Sequence, residues 1–237
     1  MKLQTGTFYG VGLGPGDPGL LTVKALTVLC EAGQIYTVAS RQSERSVSRS
    51  ILAAYPEITA PVAELEFTMS TEWGERQSCI DRHAGTVAAK LTAGMDCAFG
   101  TIGDPMTYST CSYLLRALRR LLPELRSVIV PGVNSWSALA AGLQQPLAED
   151  DEVLRIIPGY RSGVELPELP ECSTTILLKT YRTRNRLLDQ LPPDAGVIYG
   201  AEIGLPGEIL SVDREVIAGL PEAYLSMLAV KRRKNHD

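Results

Sequence analysis

Three times along this chain a short β-prone run ends abruptly in glycine and proline, and each time residues at helical spacing follow. The first run, Thr7-Phe8-Tyr9-Gly10-Val11-Gly12-Leu13, stops at Gly14-Pro15-Gly16-Asp17-Pro18, which can continue neither strand nor helix. Thr22 then stands where an N-cap belongs, ahead of Val23, Leu26, Leu29 and Cys30, and Gly33 closes the pattern. Cys97-Ala98-Phe99 runs into Thr101-Ile102-Gly103-Asp104-Pro105 before a helix expected over 108–122. Val128-Ile129-Val130 runs into Pro131-Gly132-Val133-Asn134-Ser135 before a helix that Asn134 or Ser135 can cap. This repeated order predicts helix-covered parallel strands, whose ligand loops lie at the carboxyl ends, so the three loops should gather along one edge.

Between these junctions, 35–39 reads as a strand, Ile51, Leu52 and Tyr55 as a helical face ended by Pro56, and 74–91 as a longer helix. From about residue 150 the texture turns β-rich, with strands expected at 153–157, 175–178, 197–201, 208–212 and 224–230 and one helix at 184–191. The expected fold class is therefore α/β with two domains, 1–123 around a mostly parallel sheet and 127–237 around a mixed sheet, each flanked by helices.

Composition narrows the function. A chain of 237 residues with 45% hydrophobic and 21% charged residues can bury a real core. No apolar run approaches the roughly 20 residues of a spanning helix, and the N-terminus lacks a secretory pattern, so a cytoplasmic protein away from membranes is expected. Five cysteines at 30, 79, 97, 111 and 172 form no Cys-x-x-Cys pair, and His83 and His236 are too few for a histidine metal site or a Ser-His-Asp triad; no metal is expected, and His83 reads as a surface or packing residue. A net charge of -4 argues against nucleic acid as a partner, and Lys231-Arg232-Arg233-Lys234 reads as a solvated tail.

The glycine-rich start invites a dinucleotide reading, but the Gly-x-Gly-x-x-Gly fingerprint fails in both registers, meeting Pro15 from Gly10 and Asp17 from Gly12. A carboxylate at Asp17 near a helix start would also repel a pyrophosphate. No glycine-rich loop is followed by Gly-Lys-Ser or Gly-Lys-Thr, so nucleotide hydrolysis is not indicated. A neutral or cationic ligand without phosphate suits these loops better.

Tyr9-Gly-Val-Gly-Leu-Gly-Pro-Gly-Asp-Pro-Gly-Leu-Leu-Thr22, Gly103-Asp-Pro-Met-Thr-Tyr-Ser-Thr110 and Val130-Pro-Gly-Val133, in that order, resemble the tetrapyrrole methylase family over nearly the whole chain. The resemblance implies the two-domain fold of that family, a homodimer, and S-adenosylmethionine bound as methyl donor in the cleft between the domains. Carried over by position, the donor would meet Pro15, Gly103, Asp104 and Thr107, Asn134 and Ser135, Thr180 after the 176–179 strand, and Gly204. Tyr108-Ser109-Thr110 and Pro146-Leu-Ala-Glu-Asp-Asp-Glu152 are similar to the branch that methylates carbon 20 of precorrin-2 or cobalt-factor II in cobalamin biosynthesis. Methylation of another ring carbon is the alternative within the class, and a dinucleotide-binding oxidoreductase the alternative outside it.

Methyl transfer from sulfonium to carbon is an in-line displacement, so alignment matters more than a nucleophile. Tyr108 is the candidate catalytic residue, and Glu149 and Asp150 are further carboxylates that a departing ring proton could use. For a substrate rich in carboxylates the expected contacts are Asp17, Arg41, Arg45, Tyr108, Ser109 and Thr110, with the Arg41-Arg45-Arg49 and Arg182-Arg184-Arg186 series as candidate clamps. Two departures from the family stand out: Ala39-Ser40-Arg41 replaces a Pro-Lys pair, and Asn134 replaces the usual threonine.

Overall fold

Every residue of β4 (Cys97–Thr101) is buried, the pattern of a strand covered on both faces. In the computed structural model, which describes residues 4–39, 46–68, 70, 72–158, 166 and 168–232, β4 lies between β1 (Phe8–Gly12) and β2 (Gln34–Val38). With β3 (Val62–Leu65) and β5 (Ser127–Val130) at its edges, the sheet runs β3-β2-β4-β1-β5, and every pairing is parallel. Side chains alternate between the faces as the strand period requires. Phe8, Tyr36, Cys97 and Phe99 pack against α3 (Trp73–Thr92) and α4 (Thr110–Leu121), whereas Val11, Ile35, Ala98 and Val130 pack against α1 (Val23–Glu31) and α2 (Val47–Ala53). Full burial of a large apolar side chain contributes about 1.5–3 kcal/mol, so Phe8, Leu29, Leu91, Phe99 and Leu114, all at 0% exposure, anchor both faces.

The caps follow the sequence reading in part. Thr22 accepts from the Ala25 amide at 3.1 Å and starts α1 as expected. The helix expected from Tyr108 starts two residues later, because Tyr108 sits at φ +50, outside helical space, and Ser109 caps α4 by accepting from the Cys111 amide. β3 was not expected from the sequence: it is four residues long and ends in Glu64-Leu65, too short for a period to register.

The second sheet is mixed. β6 (Val153–Ile157) pairs parallel with β7 (Ser173–Leu178), and β10 (Ser226–Arg232) runs antiparallel between β7 and β8 (Gly196–Ala201), with β9 (Ile209–Ser211) at the far edge. α5 (Ser135–Leu143) covers one face through Leu139, and α6 (Arg184–Gln190) and α7 (Arg214–Gly219) cover the other through Leu187, Leu188 and Ile217.

The chain divides into two compact units, Met1–Asn134 and Ser135–Asp237. The division lies later than the 123–127 boundary expected from the sequence, since β5 is a strand of the first sheet, paired with β1 from Phe8↔Ser127 to Val11↔Val130. The basic run at 231–234 is also not simply a tail. Lys231 and Arg232 belong to β10, where Lys231 pairs with Glu152 at 3.1 Å and Glu149 at 3.5 Å and Arg232 pairs with Asp194 at 2.9 Å; Arg233 and Lys234 lie outside the described residues.

Candidate functional site

β1 hands over to α1 on one face of the first sheet and β4 hands over to α4 on the other. Neighbouring parallel strands whose connections leave to opposite faces part at their carboxyl ends, and the crevice there is where open α/β sheets hold ligands. Its floor is backbone: Leu13 N donates to Thr101 O at 2.9 Å, and Gly103 N donates to Gly14 O at 2.7 Å. Gly103 makes this turn at φ +72, a conformation open to glycine and strained for most other residues.

The third loop closes on the first two. A Cβ on Gly12 would overlap the Gly132 backbone and sit 2.7 Å from Gly103 O, and one on Gly132 would overlap Gly103 O and sit 2.8 Å from Gly12 Cα. Only hydrogens at both positions allow these backbones so close together. Asp104 ties the arrangement: Oδ1 accepts from Met106 N at 2.9 Å and from Thr107 Oγ1 at 3.3 Å, while Oδ2 accepts from Gly132 N at 3.2 Å. Below it lies the buried Cys111 thiol, pushed up to about 12 chiefly by burial and further by the Asp104 carboxylate. The expectation that the three loops share one edge is met.

The predicted site residues fall into distinct groups. Pro15, Gly103, Asp104 and Thr107 come together at the crevice, with Pro15 buried and Thr107 exposed, and Asn134 ends the β5 loop that carries Gly132. Asp17 is exposed and caps not α1 but a short 3-10 turn at Pro18–Leu20, accepting from Gly19 N at 2.8 Å. That turn separates the glycine loop from the N-terminus of α1, so α1 does not start directly behind these glycines as the dinucleotide fingerprint requires. Tyr108 and Met106 stand out from the β4 loop at 51% and 52% exposure. Ser109 is turned inward, its hydroxyl 3.2 Å from Thr101 Oγ1, and Thr110 opens α4 partly buried. Arg41 and Arg45 lie outside the described residues, and Arg49 is engaged with Glu64 at 3.2 Å.

In the second unit, Thr180 and Gly204 share an edge, where the loops after β7 and β8 bond to the start of β10: Thr180 N donates to Ser226 O and Glu202 N to Leu225 O. Thr180 is wholly buried with its hydroxyl 3.0 Å from Ser226 Oγ, and its carbonyl accepts from both Thr183 N and Thr183 Oγ1. These contacts assign its side chain to the fold. Gly204, at φ +76, donates to Glu208 Oε2 at 2.7 Å, and Ser135 is the first residue of α5. Arg184 is no surface clamp: it is 2% exposed, donates to Leu220 O and to Pro221 O at 2.9 Å, and lies 5.4 Å over the Tyr199 ring. Arg182 is exposed and lies 4.9 Å over the Tyr181 ring, Arg186 is exposed on α6, and Glu149 pairs with Lys231. Asp150 lies at φ +46 in the loop before β6. His83 is a packing residue, buried on α3 with Nε2 2.8 Å from Glu66 O.

Sequence reasoning missed Gly132 and Thr101. Gly132 belongs to the glycine-proline run after β5, but its role depends on Gly12 and Gly103, which are distant in sequence. Among the described residues no group of three or more His, Cys, Asp or Glu side chains is placed to hold a metal ion, and no helix is long and apolar enough to cross a membrane.

Parallel strands, helices on both faces and a glycine-lined crevice at the switch point define an α/β chain built to hold a small ligand at one sheet edge. The chain belongs to the tetrapyrrole (corrin/porphyrin) methylases, whose family profile matches residues 7–215. It is 32% identical over 210 residues to the cobalt-precorrin-2 C(20)-methyltransferase of Salmonella typhimurium, covering 86% of this chain and 87% of that one. The probable cobalt-precorrin-2 C(20)-methyltransferase of Methanocaldococcus jannaschii is 32% identical over 244 residues, covering 95% of this chain and 96% of that one. The crystal structure of uroporphyrin-III-C-methyltransferase from Thermus thermophilus superposes with a TM-score of 0.70 at 26% identity, covering 96% of this chain and 92% of that one.

Proposed function

We propose that this chain transfers a methyl group from S-adenosylmethionine to carbon 20 of precorrin-2 or its cobalt-bearing form, in cobalamin biosynthesis, as a cytoplasmic homodimer. The observation that carries the reading is the convergence of Gly12, Gly103 and Gly132 at one carboxyl edge, in a chain whose two relatives named above are both C(20)-methyltransferases. The residues at the crevice fit such a donor. They offer backbone amides and carbonyls, with the Asp104 carboxylate bonded behind them to Met106 N and Gly132 N, to a ligand that carries an ammonium and a sulfonium but no phosphate. Pro15, Gly103, Thr107 and Asn134 would hold it, with Asp104 fixing the loops that carry them, and we extend the holding role to Ser135 and Gly204 of the second unit. The bound donor supplies an electrophilic methyl group.

The chain's own task is alignment. Methyl, sulfur and ring carbon must approach in line at about 3–3.5 Å, and a rigid backbone floor fixes one partner for that approach. Tyr108 and Met106, exposed beside Asp104, offer the macrocycle an aromatic and an apolar surface. The ring carbon needs no protein nucleophile, because conjugation with the pyrrole nitrogens already makes it electron-rich.

The test is an assay of the purified chain with methyl-labelled S-adenosylmethionine against precorrin-2 and its cobalt form side by side. One label incorporated, assigned to carbon 20 by NMR of the product, is the expected result. Label on a different ring carbon would move the chain to another step of the same chemistry, and tight binding of NADH in place of S-adenosylhomocysteine would refute the reading outright.

A further inference from the structure

Asp104 was expected to face a ligand, yet its carboxylate bonds to Met106 N, Thr107 Oγ1 and Gly132 N of the protein itself. Oδ1 takes Met106 N and Thr107 Oγ1 from its own loop, and Oδ2 takes Gly132 N from the loop after β5, 28 residues away in sequence. The two oxygens thus do different work. The Oδ1 bonds shape the turn that begins at Gly103; the Oδ2 bond crosses between loops. Gly132 is the residue whose backbone lies against both Gly12 Cα and Gly103 O, a packing with no side chain to hold it. Carboxylate-to-amide bonds are charge-assisted and stronger than neutral ones.

We infer that Asp104 is a positioning residue, a latch whose Oδ2 holds the Pro131–Asn134 loop against the β1 and β4 loops and so sets the width of the ligand crevice. The inference deepens the methyl-donor reading and rests on it for the ligand only; the latch itself is made of the protein's own groups. It also explains why a carboxylate stands here. An asparagine would retain Oδ1 for Met106 N but turn an NH2 donor toward the Gly132 N–H, setting donor against donor.

The test is a cycle of one variant and two probes in the full chain. Asp104→Asn keeps the local turn and removes the cross-loop bond. S-adenosylhomocysteine carries the α-amino group; 5′-methylthioadenosine lacks the whole amino-acid arm. A latch predicts that the variant binds both probes about tenfold more weakly, by the same factor, since a half-buried amide left without its acceptor distorts the crevice for either. In the ligand-free variant, amide hydrogen exchange across 127–134 should quicken while that of 23–31 stays unchanged.

Loss confined to S-adenosylhomocysteine would mean direct contact with the amino group and overturn the latch. Unchanged affinity for both probes with only a lower Tm would reduce Asp104 to a turn residue and overturn it equally. Should the asparagine variant not fold, Asp104→Ser, whose shorter side chain still accepts from Met106 N without reaching Gly132, is read in the same way. A wild-type chain that binds neither probe removes the methyl-donor reading, and the exchange measurement still decides the latch.

Discussion

The two sheets finish one of their loop-bearing edges in opposite ways. In the first unit the edge is backbone on backbone: Gly12, Gly103 and Gly132 pack without side chains, and one carboxylate links two loops. In the second unit the corresponding edge is locked by side chains, through the buried Thr180–Ser226 hydroxyl pair and an Arg184 that spends its guanidinium on the carbonyls of Leu220 and Pro221. A backbone edge presents amides and carbonyls at fixed positions with little conformational entropy left to lose, which suits a site that must align reacting atoms. A side-chain edge stabilises its own loops. The difference teaches that residue type alone does not mark a site: the arginine and threonine of the second unit carry more polar groups than the glycines of the first, yet have fewer to offer a ligand.

The comparison can be broken most directly at Arg184. Arg184→Leu removes a side chain that is 2% exposed and leaves the Leu220 and Pro221 carbonyls without its bonds, and should cost about 3 kcal/mol of stability. Trp73 lies in the first unit and Trp136 in the second, so single-tryptophan variants report on each separately. The loss is expected in the Trp136 signal, and an equal loss at Trp73 would end the claim that the second edge is self-contained. Next in size is Gly132→Ala, whose methyl must displace Gly103 O or Gly12. Shifts of about 1 Å in a site of this kind cost roughly 100-fold in rate, so methyl transfer should fall by about that factor while the Trp136 transition stays where it was. A variant with wild-type turnover would show that the crevice tolerates a side chain.

The smallest effect concerns pH. Burial raises Cys97 from its ordinary 9.0 to about 11 and Cys111 to about 12, and both thiols lie in the core of the first unit. The folded chain therefore keeps protons that the unfolded chain releases above pH 9, so stability is full below that value and falls as pH rises toward 11–12. Alkaline unfolding should begin in the Trp73 signal, and Cys111→Ala should flatten its slope; a Trp136 signal that moves first would contradict the assignment.

Much of the first sheet was legible in the sequence because its signals are local. Prolines 15 and 18 end β1, Thr22 caps α1, and the all-apolar Cys97-Ala98-Phe99 announces a strand buried on both faces. Local signals also misled. Tyr108 reads as the start of a helix until its positive φ moves the cap to Ser109, and Val128-Ile129-Val130 follows a plausible linker although it completes the sheet before it. The arginine series shows the same limit: alternation made Arg184 a candidate clamp for carboxylates, and the carbonyls of Leu220 and Pro221, distant in sequence, hold it inside.

The sequence by itself determined the strand–loop–helix order, the parallel first sheet and the placing of glycine and proline at its strand ends, because propensity, capping and chirality act over a few residues. The tertiary structure alone decided that Gly12, Gly103 and Gly132 meet, that Asp104 reaches Gly132, and that Thr180 and Arg184 turn inward. Those outcomes depend on which backbone groups arrive beside each other after residues far apart in the chain have packed, and no local rule carries that information.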